Sequence, residues 1–415
     1  NFSLSNPNRG SGTVFSTDLS FGVETRNSIS ALSFDASTTA RYANLPAPGG
    51  TVSGFEDPTL RLAYSREGAN SRFDFTAGYD RPSLAFALPE TGADITVQDI
   101  YTGAGERENI DLGLRFETGV EAPFGFVIDL DHAERNYTDT TDPLLFDTET
   151  QTAAVSAIFR PSETTEFSLD LSESRYEAED TSGTNRTTDR ATLGMSHDLS
   201  ETDRLRFSIG YSEVVETFDA LPGTTNTTDG LVSEFEYQRD LANGAVAVNL
   251  DSTLDSGGRS TTLEFGRQLS FPTGELDVTF GWVKSDGAEA QPIGRVTYVQ
   301  EFVRSTFDIE VSRGASVSET LGQVTETTTL AMGYNMELSP LSSLALDASL
   351  SDVEVVGATT GRARSSISAT YSRELTPDWD MNVGVQHQRF DPDTGSSAQS
   401  NSVYFTLKRV FEGLR

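Results

Sequence analysis

The side chains able to do chemistry in this chain are few in kind. There is no cysteine, so disulfides, thiol nucleophiles and Cys-ligated metals are excluded. The three histidines, His132, His197 and His387, stand far apart with no second ligand at metal-binding spacing. Each falls in the apolar phase of its segment, towards one end, which assigns it an interfacial structural role. Serines occur throughout, so a Ser–His pair of hydrolytic type selects no positions. No glycine-rich phosphate loop is present, and Gly49-Gly50 and Gly257-Gly258 read as loop tips. Asp391-Pro392-Asp393-Thr394-Gly395 has the flavour of a calcium loop, with Asp391 and Asp393 as weak metal candidates. It lacks the spaced ligand set of an EF-hand, and a flexible loop is the competing reading. No residue is nominated as catalytic, so the expectation is not an enzyme. No cofactor is expected beyond loop-bound divalent cations.

What remains is carboxylate. Asp and Glu number 63 against 30 Lys and Arg, giving a net charge of -33. That balance opposes binding to nucleic acid, whose phosphates demand a basic face. The acids are placed with a period. Leu205, Phe207, Ile209 and Tyr211 alternate with Arg206, Ser208, Gly210 and Ser212; Leu276, Val278, Phe280 and Trp282 alternate with Asp277, Thr279 and Gly281. Period two is the signature of a β-strand with one apolar and one polar face. Asp18, Asp35, Asp74, Asp111, Asp129, Asp131, Asp170, Glu264, Asp277, Asp308, Glu310, Asp347 and Asp380 all fall in the polar phase, with Arg61, Arg115 and Arg206 as counterweights. If that face lines a water-filled passage, its acids favour cations and oppose anions. The bland alternative is that any wetted face of so acidic a chain carries acids.

The elements that must position these acids are short strands. Tight turns are expected near 26–28, 68–70, 122–125, 161–163, 200–202, 241–244, 270–274, 303–304, 339–341 and 376–378, where Gly, Pro, Asn, Asp and Ser gather. Longer polar connections are expected at 43–57, 88–105, 139–147, 179–186, 218–229, 255–259, 286–291, 314–323, 355–362 and 391–400. Hydrophobic residues make up only 36% of the chain, and no apolar run approaches the ~20 residues of a membrane helix. A transmembrane antiparallel β-barrel fits: lipid outside, water inside, short turns on one side and long loops on the other. Counting Phe2-Ser3-Leu4, closed by the loop Asn6-Pro7-Asn8-Arg9-Gly10, as a separate short strand gives 22 strands, with 20 as the alternative. The expectation is one barrel domain over 1–415, with no separate plug domain and an N-terminus left by processing. A propeller would need a repeated motif, and a β-sandwich array would show linkers; neither is visible.

Tyr404, Phe405, Leu407 and Phe411, in the segment 403–411, resemble the aromatic-rich last strand of Gram-negative outer-membrane β-barrel proteins, which the barrel-assembly machinery reads. Here Glu412-Gly413-Leu414-Arg415 follow, whereas the family's pattern ends on the aromatic residue. The resemblance implies the bacterial outer membrane, with lipid and lipopolysaccharide as surroundings. The functional expectation is a passive, porin-like conduit with an acidic lumen. Its alternatives are a scaffold or export port for a surface polysaccharide, lipoprotein or appendage, or a purely structural protein. A barrel so wide leaks unless loops such as 88–105 fold inward, the barrel is flattened, or a lumen-plugging or periplasmic protein partner fills it. Arg26, Arg66, Arg72, Arg160, Arg204, Arg239, Arg267, Arg304 and Arg373 cluster near the turns, where they are expected either to contact phospholipid headgroups or simply to snorkel at strand ends. The acidic loops Asp139-Thr140-Thr141-Asp142 and Glu177-Ala178-Glu179-Asp180 are expected to bind divalent cations. Tyr64, Phe159, Phe167, Tyr237, Phe271, Phe302 and Trp379 fit an interfacial girdle, whereas Phe207, Phe265 and Phe280 lie at strand centres.

Overall fold

The alternation folds as strands throughout the computed structural model, which describes residues 12–45, 50–84, 105–140, 145–317, 324–356, 361–391, 397–409 and 411. The first eleven strands are β1 (Thr13–Arg26), β2 (Ser30–Leu45), β3 (Gly50–Gly68), β4 (Ser71–Asp80), β5 (Glu106–Thr118), β6 (Phe124–Thr138), β7 (Thr148–Ser162), β8 (Thr165–Ala178), β9 (Thr184–Asp198), β10 (Asp203–Phe218) and β11 (Thr225–Leu241). The rest are β12 (Gly244–Asp255), β13 (Gly258–Phe271), β14 (Gly274–Ser285), β15 (Gln291–Glu301), β16 (Ser305–Val317), β17 (Val324–Ser339), β18 (Ser342–Val355), β19 (Gly361–Thr376), β20 (Trp379–Asp391) and β21 (Ala398–Arg409). They form one 21-stranded sheet, and each pairs antiparallel with the next in sequence, from β1–β2 to β20–β21. The count among described residues is therefore one short of the expected 22. Phe2-Ser3-Leu4 and the loop Asn6-Pro7-Asn8-Arg9-Gly10 lie outside the described residues.

Each expected tight turn falls between an odd strand and the even strand after it. Local hydrogen bonds explain why the chain reverses there. Asn27 Oδ1 accepts from the backbone N–H of Ile29 at 2.9 Å and of Ser30 at 2.8 Å, an Asx turn joining β1 to β2. The other side departs from expectation. Most of the span 43–57 is strand, because β2 runs to Leu45 and β3 starts at Gly50, and 255–259 shrinks to the two-residue link between Asp255 and Gly258. Glu177 and Ala178 belong to β8 rather than to a loop. The reason is length. β3 has 19 residues, which at ~3.4 Å each exceed the ~30 Å hydrocarbon core of a bilayer. Ladder hydrogen bonding continues into what reads locally as polar loop. Bulges place an extra residue on β3, between Glu56 and Thr59 opposite Ser37 and Thr39 of β2, and on β7, between Phe159 and Ser162.

The two faces of the sheet are unlike, and their burial runs opposite to that of a soluble protein. Large apolar side chains are exposed along the strands, among them Leu19, Phe21, Leu130, Leu193, Leu231, Phe280 and Trp282. Residues directly opposite across an antiparallel pair share a face. Leu193, Ile209 and Ser233 are so linked, as are Leu263 and Trp282. The buried set lies on the other face and includes Thr192, Ser212, Ser312, Thr329, Ser351 and Arg364. Side chains on a concave face screen one another, whereas those on a convex face splay apart, so the polar face is the concave one. Phe265 and Phe280 stack at 5.5 Å between ring centroids on the convex face, so these central aromatics face outward rather than into a core.

Candidate functional site

The register decides which acids come together. Asp35 stands opposite Gly22 and Arg61, Arg61 opposite Gly78, and Gly78 opposite Asp111. Asp74, Arg115 and Asp129 form one row across β4–β6, with Asp131 two residues further along β6. Asp170 faces Ser156 and Thr192. Across β14–β18, Asp277, Thr297 and Glu310 make one row, and Asp308, Gly333 and Asp347 the next. Asp18 lies opposite Thr39, Glu264 opposite Asn249 and Gly281, and Asp380 opposite Lys408. All of the polar-phase acids therefore share the concave face, together with Arg61, Arg115 and Arg206.

Their charge is only partly neutralised there. Arg115 Nη1 lies 3.0 Å from Asp129, Arg206 Nη1 3.0 Å from Glu236, and Arg295 Nη2 2.7 Å from Glu310. Asp18 accepts from Thr39 Oγ1 at 2.7 Å, Asp170 from Ser168 Oγ at 2.7 Å, and Asp347 from Ser368 Oγ at 3.2 Å. Among the described residues Asp111, Asp131, Asp277 and Asp308 form no ion pair. The last two sit in adjoining rows within β14–β18, where Arg295 is already committed to Glu310.

The polar face also carries features that phase alone conceals. Val214, Val232, Val283, Val353 and Phe390 are buried on it, mostly towards the loop ends of their strands. Leu84, Tyr137 and Leu145 form a small buried cluster where the β4–β5 and β6–β7 connections meet the end of β6. Backbone bonds pin these connections. Leu84 N–H donates to Gly105 O at 2.9 Å, Ser83 N–H to Asp57 Oδ1 at 2.8 Å, and Tyr137 N–H to Asp147 Oδ1 at 2.7 Å. Arg41 in turn pairs with both Glu56 and Asp57. The cluster unites loop segments distant in sequence, so no local signal announces it.

Other candidates separate. The arginines near the turns split between the faces: Arg26, Arg72 and Arg204 stand on the polar face, opposite Ala31, Glu117 and Gln238, whereas Arg66, Arg239, Arg267 and Arg373 stand on the apolar one, opposite Ser30, Asp203, Val278 and Met381. A single headgroup belt of nine is thus corrected, because strand-end arginines occur in both phases and only one phase faces outward. The histidines lie on the apolar face; His197 Nδ1 is 2.9 Å from Thr165 Oγ1, and His387 Nδ1 is 2.8 Å from Asn401 Oδ1. Asp391 ends β20 and is held by Arg389 at 2.8 Å, while Asp393 lies outside the described residues. Among the described residues no group of three or more His, Asp or Glu side chains is placed to hold a metal ion.

No family model matches this sequence, and no curated protein does. Solved structures do. The FrpB iron transporter of Neisseria meningitidis (F3-3 variant) superposes with a TM-score of 0.64 at 11% identity, over 96% of this chain and 80% of its own. The ferric-catecholate import receptor Fiu of E. coli K12, in its open form, gives 0.57 at 9%, over 92% and 77%. The copper transporter OprC gives 0.55 at 13%, over 98% and 81%. At such identities the likeness is one of fold. Leaving so large an apolar face exposed to water is costly. Together the two observations give this chain the all-antiparallel β fold of the outer-membrane transporters and receptor it resembles, with one apolar and one acidic face.

Proposed function

We propose that the protein is a transport-related outer-membrane barrel whose concave face lines a water-filled passage favouring cations. The supporting observation is the segregation of Asp111, Asp131, Asp277, Asp308 and Asp347 onto the face opposite the exposed apolar residues. An incompletely neutralised acidic wall lowers the energy of cations and raises that of anions. No covalent chemistry is required of any residue. β1 and β21 run the same way, so an antiparallel barrel of 22 would need one further strand between them.

A second reading is favoured by the Leu84, Tyr137 and Leu145 cluster, which seats loop segments against the polar face at its loop end. Connections anchored in this way suit a gated or partner-filled conduit, and the solved structures it resembles are named as transporters and an import receptor. Planar-bilayer recording under a salt gradient separates the two readings. The first predicts steady steps with a cation-selective reversal potential. The second predicts a folded, heat-modifiable but silent protein until the loops or a partner are removed. Anion-selective steps would contradict the acidic passage.

A further inference from the structure

The turn-end rim of the apolar face carries two arginines over β19–β21. Arg373 stands opposite Met381, and Arg409 opposite Trp379, two residues along the same strand and so on the same face. The Arg409 guanidinium lies 5.3 Å from the Trp379 ring centroid and 4.4 Å from that of Phe411. Phe411 is 75% exposed, and Val383, Val385, Phe405 and Leu407 continue the exposed apolar surface beneath. The nearby acids Glu374 and Asp380 face each other across β19–β20, on the opposite face, where Asp380 also meets Lys408. Among the described residues neither Arg373 nor Arg409 forms an ion pair, in a chain with 63 acids to 30 bases.

We propose that this patch binds the phosphate of a phospholipid in the leaflet at the turn end of the barrel. A guanidinium held over aromatic faces keeps its N–H donors at its edge, free to bind phosphate oxygens as a fork. Arg373 supplies the second cation, Trp379 and Phe411 lie at the ester level where aromatic rings concentrate, and the acyl chains run along Phe405, Leu407, Val383 and Val385. The site depends on the membrane setting and not on whether the passage conducts.

The test is native mass spectrometry of the full chain in non-ionic detergent, titrated with phosphatidylglycerol. The double variant Arg373→Gln/Arg409→Gln is expected to bind the tightest-held lipid about tenfold or more weakly, since charge-assisted phosphate contacts are lost. The control pair Arg66→Gln/Arg267→Gln, on the same face elsewhere on the rim, keeps wild-type affinity. Heat modifiability shows that both variants fold. Equal lipid binding in wild type and double variant overturns the proposal, and so does an equal loss in the control pair, which would mean a diffuse field. Trp379 fluorescence in a Trp282→Phe background should respond to the lipid and not to inorganic phosphate; an equal response to both overturns the lipid assignment.

Discussion

The carboxylate of Asp308 lies across Gly333 on the neighbouring strand, so close that a Cβ at position 333 would sit 2.5 Å from Oδ1. The same arrangement recurs between Asp35 and Gly22, where the Cβ would sit 2.8 Å from Oδ1. Glycine lets the acid fold flat against the wall and leaves the space above it open. A side chain at 333 lifts the carboxylate into that space. Gly333→Val should therefore lower single-channel conductance and keep cation selectivity. Stability should change by less than about 1 kcal/mol, because only the end of a flexible side chain must move. Unchanged conductance, measured beside wild type in the same bilayers, would show that Asp308 does not border the permeation path.

Arg295 holds Glu310 at 2.7 Å in the row beside Asp308 and Asp347. Removing that cation frees one more carboxylate, so Arg295→Gln is expected to raise cation selectivity, opposite in sign to Asp277→Asn. Both effects should be larger at 0.1 M salt than at 1 M, where the Debye length falls from about 10 Å to about 3 Å. Reversal potentials at the two ionic strengths check the sign and the screening together.

At the turn between β9 and β10, Asp203 accepts from Ser200 Oγ at 2.6 Å, Tyr237 OH at 2.6 Å and Thr202 Oγ1 at 3.0 Å. These bonds, those of Ser200 and Tyr237 foremost, hold its carboxyl down to about 2. A depressed folded-state value means that the group's contribution to stability is complete above the ordinary carboxylate value of 3.8 and is lost as pH falls through about 2. Asp203→Asn should melt below wild type at pH 7, and the gap should close as pH approaches 2. A gap that persists there would assign the loss to packing.

Phe280 is 53% exposed near the middle of β14. On a soluble surface its replacement by Arg would change stability by no more than about 0.5 kcal/mol. On a lipid-facing wall near the bilayer midplane the cost is about 2–4 kcal/mol. Reversible unfolding of Phe280→Arg in lipid vesicles distinguishes the two directly.

Much of this fold is legible in the sequence because period two is a strong signal when one face must be apolar. The alternation in β10 and β14 fixes which acids share a face, and the register agrees for every one of them. The turns are equally legible, since Asn27 or Pro340 carries its own reason for reversing the chain. Three things are not. The strands overrun the span 43–57 because ladder pairing persists where hydropathy no longer alternates. Val214, Val283 and Val353 are apolar in the polar phase, and only the three-dimensional burial of the loop-end wall accounts for them. The contact of Leu84 with Tyr137 and Leu145 joins segments whose sequences carry no mark of each other.

The central claim is that the sheet is inverted, with lipid against its apolar face and water against its acidic one. Because the chain has no cysteine, single substitutions read this without background. Cysteines placed one at a time at Leu276, Asp277, Val278, Thr279 and Phe280 would be exposed, in lipid vesicles, to a membrane-impermeant thiol reagent. The account predicts labelling with period two: Asp277→Cys and Thr279→Cys react, and Leu276→Cys, Val278→Cys and Phe280→Cys do not. Labelling of the second set in place of the first, or of all five alike, would contradict it.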